Sequence, residues 1–164
     1  MEPIKEPILI LFFCGLTILA SAQSESKKSK VIADSKDAKA EFMKADKDMK
    51  GLFEKAYGYV IFPNVGKGGV GVGGAAGTGA AYEHGKQIGM AKLTQVSVGF
   101  QLGGQAYREV IFFEKKEAMD RFKENRIELS AQVSAVAAAS GASLNAKYVE
   151  GVMVLTMQKG WTHV

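Results

Sequence analysis

The run Gly69-Val-Gly-Val-Gly-Gly74 comes nearest to a chemical motif, because it fits the G-x-G-x-x-G spacing of a dinucleotide cradle. That chemistry needs a helix N-terminus directly after the glycines to face the pyrophosphate, and an acidic residue about 20 positions on to hold the ribose. More strand-like sequence follows Gly74, and the region of Thr94 carries no acid, so no nucleotide is assigned. Gly85-Lys86-Gln87 is not a phosphate loop, since Gln87 replaces the magnesium-binding hydroxyl and Ala80 replaces the first glycine. The imidazoles are His84 and His163, and neither has a carboxylate and a second histidine at ligand spacing. Gly141-Ala-Ser143 lacks the second glycine of a nucleophile elbow, because Asn145 stands there. The acids lie mainly beside lysines, as solvated helical pairs. The reading assigns no catalytic residue, no metal ligand and no cofactor, and the chain is read as a binding module, not an enzyme.

Charge and an apolar leader carry more information. Ile8 to Ala22 is an apolar run of 15 residues ending in the small-x-small site Ala20-Ser-Ala22. It is short for a membrane span and reads as a secretory signal, cleaved after Ala22, which exports the protein to the periplasm or envelope. An uncleaved N-terminal anchor is the alternative, because Glu2 and Glu6 offset Lys5 in the leading segment. Cys14 lies inside the run and leaves with it, so the mature chain has no thiol. The full chain has 21 basic and 17 acidic residues; without Lys5, Glu2 and Glu6 the balance is 20 to 15, a net +5. That excess favours an anionic partner, and for an exported protein a phospholipid surface over nucleic acid.

Residues 1–22 are thus expected as signal, 23–34 as a polar, lysine-rich mobile linker, and 35–164 as one domain. A helix is predicted from about Ser35 to Ala56. Its positions Ala38, Phe42, Ala45, Met49, Leu52, Phe53 and Ala56 share one arc at 100° per residue, a stripe read as packing on a sheet, with insertion into lipid as the alternative. Lys36, Lys39, Lys47 and Lys50 cluster on the other side. With Lys27, Lys28 and Lys30 of the linker they are the expected lipid contacts, and Lys67 and Lys86 at sheet turns are second choices.

The middle of the chain is β. Tyr59–Phe62 is a strand expected to end at Pro63. From Gly69 to Ala81 every odd position is glycine or alanine, so one strand face is bare along Gly69, Gly71, Gly73, Gly77 and Gly79. Such a face implies that something approaches closely. A turn at Glu83-His-Gly-Lys86 joins strands 77–82 and 87–92. Further strands are expected at 95–102, 107–113, 127–135 and 149–157, with a helix at 114–126 and a small-residue loop or weak strand at 137–145. Two helices on an antiparallel, curled or barrel-like sheet make an α+β fold.

The order of Lys55-Ala-Tyr-Gly58, the glycine-alternating strand, Gly99-Phe-Gln-Leu-Gly-Gly-Gln-Ala-Tyr107, Val110-Ile-Phe-Phe113, Lys116-Glu-Ala-Met-Asp-Arg-Phe122 and Val152-Met-Val-Leu-Thr-Met-Gln-Lys-Gly160 resembles the SYLF domain family. The resemblance runs from about Ser35 to about Gly160. It implies lipid binding, and together with the basic excess it gives the expectation of a non-enzymatic module for anionic phospholipid membranes. The family's eukaryotic actin-regulating branch implies the alternative, a protein–protein scaffolding module. Family members usually continue past the Lys-Gly with another strand, and this sequence ends at Trp161-Thr-His-Val164, so the domain is expected to be short at its C-terminus.

Overall fold

The computed structural model describes residues 7–70, 72–98, 105–124, 136–137 and 142–159, with side chains from Ser24 onward except at 67–73, 95–98, 105, 136–137, 142 and 144. Strand β1 (Gly58–Val70) lies at the centre, between β2 (Val72–Glu83) and β4 (Gln105–Phe113). Outside β2 lies β3 (Lys86–Val98), and outside β4 lies β6 (Val152–Gln158). These five are antiparallel, and the two-residue β5 (Val136–Ala137) adds in parallel beyond β6.

Both faces of β1 are covered. Tyr59 and Ile61 point to one side and Val60 and Phe62 to the other, and all four are buried. Continuous apolar sequence is what a doubly covered strand requires. On the first face lie α1 (Pro7–Ala45) and α2 (Met49–Lys55). They bring Ala38, Phe42, Met49, Phe53 and Ala56 against Tyr59, Ile61, Tyr82, Val110, Phe112 and Leu155. Phe42 is completely buried, a contribution of roughly 2–3 kcal/mol by transfer. The second face packs Val60, Phe62, Ile111, Phe113 and Val154 beneath Ala118 and Met119 of α3 (Lys116–Lys123). The expected stripe is therefore core, and the α+β class holds. Among the described residues the sheet is open, with no barrel closure.

Several local expectations change. The predicted helix is interrupted at 46–48, where the Asp46 carboxylate accepts a hydrogen bond from the Asp48 N–H and competes with the helical ladder. Upstream, α1 runs through residues 23–34, so that segment is helical. Strands 87–92 and 95–102 are one strand as far as Val98. Helix α3 is shorter than expected, and the last strand begins at Val152 after a turn at Glu150 and Gly151. The strand predicted at 127–135 lies outside the described residues. The hairpin at 83–86 is as predicted, with positive φ at both His84 (49°) and Gly85 (77°).

Pro63 does not end β1. Ile61 pairs with Ala80 and Val65 with Gly77, so one extra residue is accommodated between them, and the same slip recurs against β4. This bulge lets a residue without an N–H sit inside a central strand. It also brings the β1 backbone close to the glycine face of β2. A Cβ at Gly79 would lie 2.4 Å from the Ile61 carbonyl oxygen, and one at Gly77 2.9 Å from that of Asn64. What approaches Gly77 and Gly79 is thus the neighbouring strand. Gly69 and Gly73 pair across the same hairpin, while Gly71 lies outside the described residues.

Replacing Gly79 by Val is expected to destabilise the fold by about 1–3 kcal/mol, because the carbonyl it meets belongs to a fixed ladder. The same change at Gly66, with open space around it, should cost much less. Urea titration of the two variants checks the order.

Candidate functional site

The lysines of α1 and α2 divide into one that builds the core and several that do not. Lys39 donates a hydrogen bond to the Tyr59 hydroxyl at 2.9 Å. Its ammonium also lies 4.8 Å from the Phe53 ring centroid and 5.0 Å from that of Tyr59. Its long apolar stem reaches back over the aromatic edge of the core, so it ties α1 to β1 through a cation–π contact. Lys36 and Lys47 are exposed. Lys50 is exposed and stands 3.8 Å from Glu54, an i,i+4 pair of small energetic weight.

Upstream, Ser24 to Lys30 is exposed at every position, so this part of α1 stands clear of the sheet. Lys27 is exposed there, Lys28 is 2.7 Å from Glu25, and Lys30 is 2.7 Å from Asp34. The pattern missed Lys44, exposed in the last turn of α1 and two helical turns beyond Lys36. Of the acids flanking the stripe, Glu41 is held at 3.0 Å by Arg108 of β4, which lowers its competition with the lysines, while Asp37 and Asp48 are exposed. The second choices are not one patch. Lys67 pairs with Ala75 toward the β1–β2 turn, whereas Lys86 pairs with Glu83 at the opposite end of β2.

A buried polar joint fixes the helix pair. Asp46 accepts from the Ser143 N–H at 2.9 Å, linking the α1–α2 junction to the short 3-10 turn Ala142–Asn145. Sequence reasoning passed over Asp46, although a carboxylate one turn after Phe42 on an apolar stripe is the signal that marks it.

At the far end of the sheet, Glu83 accepts hydrogen bonds from Lys123 and from the Tyr57 hydroxyl. Lys123 first and Tyr57 second hold its carboxyl below the ordinary range. His84 packs edge-on to Tyr57 at 4.4 Å. This cluster docks α3 onto the hairpin and uses its polar groups on one another. His163 lies outside the described residues. Among the described residues, no three His, Cys, Asp or Glu side chains are grouped to hold a metal ion, and no helix is long and apolar enough to cross a membrane.

Residues 94–162 match the model of the Ysc84 family, described as Las17-binding protein actin regulator. Over 105 residues the chain is 35% identical to beta cell expansion factor A of Aeromonas veronii. That match covers 63% of this chain and 40% of the relative, so the chain spans about two-fifths of the length of the curated protein it resembles.

Replacing Lys39 by Ala should lower stability by about 1 kcal/mol through loss of the ring and hydroxyl contacts. Lys36→Ala should stay within about 0.5 kcal/mol, as exposed substitutions do. Thermal denaturation of the pair separates the structural lysine from the free one.

Proposed function

We propose that this chain, a member of the Ysc84-type SYLF family, is a non-enzymatic module that binds anionic phospholipid membranes in the bacterial envelope. The observation that carries the reading is the division of α1 and α2. Phe42, Met49 and Phe53 are spent on the core, while Lys36, Lys44, Lys47 and Lys50 are left exposed. A surface of this kind attaches by charge and not by insertion. Each Lys near an anionic leaflet is worth about 1 kcal/mol, so several together give reversible binding. The contacts proposed are Lys27, Lys28, Lys30, Lys36, Lys47 and Lys50, with Lys44 added. Lys39 contributes mainly by holding the helix. Lys67 and Lys86 are secondary, each at its own end of the sheet.

A second reading, a protein-binding scaffold, is favoured by the family description, which is of binding to a protein partner. Export with cleavage after Ala22 belongs to the first reading and separates the chain from cytoskeletal partners. The mature helix would then begin at Gln23 and keep the described α1 residues that pack on the sheet, from Ile32 onward.

Two measurements test this. Intact-mass analysis of envelope fractions should find a chain beginning at Gln23, and a cytoplasmic protein retaining Met1 would refute export. In liposome co-sedimentation, changing Lys36, Lys44, Lys47 and Lys50 together to Gln should weaken binding to anionic vesicles at least about tenfold, since half of about 4 kcal/mol still exceeds 1.4 kcal/mol. Added salt should weaken the wild type similarly, as the Debye length contracts from about 8 Å. Undiminished binding by the quadruple variant moves the site off these helices. A wild type that ignores all anionic vesicles leaves the scaffold reading.

A further inference from the structure

Glu109 is a carboxyl group buried in the second core. It sits in the middle of β4 with 3% of its surface exposed, and its Oε1 has no hydrogen-bond partner. Its cross-strand neighbours are Phe62 on β1 and Thr156 on β6. Alternation puts Tyr107 and Ile111 beside it on the same face, with Val65 diagonal across β1. None of these supplies a cation.

The described charged groups on the surrounding elements are engaged elsewhere or exposed. Arg108 points to the opposite face and holds Glu41, and the Lys159 ammonium is hydrogen-bonded to Asn64. On α3, Lys116 pairs with Asp120, Arg121 donates to the Glu150 carbonyl, Lys123 holds Glu83, and Glu117 is exposed. Among the described residues the titratable group facing Glu109 is Tyr107, whose hydroxyl is raised first by burial and then by the Glu109 charge. Among the described residues no cation faces this carboxyl, and an ionised group this deeply buried is an arrangement proteins avoid by keeping the proton.

The position in the ladder gives that proton a structural consequence. Glu109 pairs with Phe62, the last residue of β1 before the bulge, and the pairing resumes only at Val65 opposite Tyr107. Pro63 has no N–H to contribute, so the β1–β4 ladder is thinnest beside this carboxyl. We infer that Glu109 is a proton-controlled latch: neutral, it lets β1 and β4 close over the second core, and ionised, it opens the ladder at the bulge to reach water. This is independent of which partner the lysine face binds.

Burial alone pushes the Glu109 carboxyl up to about 7 from an ordinary 4.5. The folded chain therefore holds this proton more tightly than the unfolded one. The associated stability is fully present below about pH 4.5 and is lost as pH rises through about 7.

The test compares the full chain with Glu109→Gln in urea titrations from about pH 5 to about pH 8. The wild-type unfolding constant should rise on the order of fifty-fold more than that of the variant, whose amide cannot ionise. Amide exchange near Phe62 and Tyr107, corrected for intrinsic rates, should quicken at the alkaline end in the wild type only. Carboxyl carbon NMR of the wild type gives a readout that does not depend on the variant folding, and it should show one Glu titrating near neutrality. Equal pH dependence in both proteins, or no Glu carboxyl titrating above the ordinary range, would overturn the latch.

Discussion

A central strand covered on both sides cannot use simple alternation to separate core from solvent, and β1 is under that constraint along Tyr59 to Phe62. Its solution is to spend odd residues on the helices of one face and even residues on α3 and the second core. The bulge at Pro63 and Asn64 then shifts the phase by one, so that Val65, an odd residue, joins the even set. Without that slip Val65 would leave the second core. With it, the backbone leans on β2, and β2 answers with Gly77 and Gly79 where any side chain would collide. The glycines, the proline and the two-sided core are one arrangement seen from three strands.

The same economy shapes the helices. An amphipathic helix on a sheet has one face to give away, and here the aromatic face is given to Tyr59 and Phe112. Polar groups then fix the placement of α1 and α2. Asp46 pins the junction and Lys39 caps the aromatic edge. A helix anchored in this way presents its remaining charges at fixed relative positions.

Much of this was legible in the residues. The stripe from Ala38 to Ala56 has helical period, and burial of Phe42, Met49 and Phe53 follows from it directly. The hairpin at His84 and Gly85 was readable because positive φ is a local demand that Gly satisfies at once. Other features depend on long-range context. Pro63 reads as a strand end because its missing N–H normally excludes it from a central strand, and only the pairing on both sides shows the bulge. Lys39 falls among the outward lysines by sequence angle, yet its flexible stem folds back to rings that periodicity does not place. Helix through 23–34 was hidden by composition, since a lysine-rich segment reads as solvated whether or not it is helical.

The hydrogen bond between Asp46 and Ser143 spans 97 positions of chain. The helix pair it secures also packs on Val110, Phe112, Met153 and Leu155, all far downstream. A nascent chain therefore makes its first aromatic helix long before the surface that receives it exists. Local contacts form fast and distant ones wait on loop closure, so docking of this helix belongs to the late stage of folding. Until synthesis has passed Leu155, Phe42 and Phe53 have no complete floor. In the ribosomal stage and in any extended transit the segment is an unshielded amphipathic helix, the kind of species that chaperones hold.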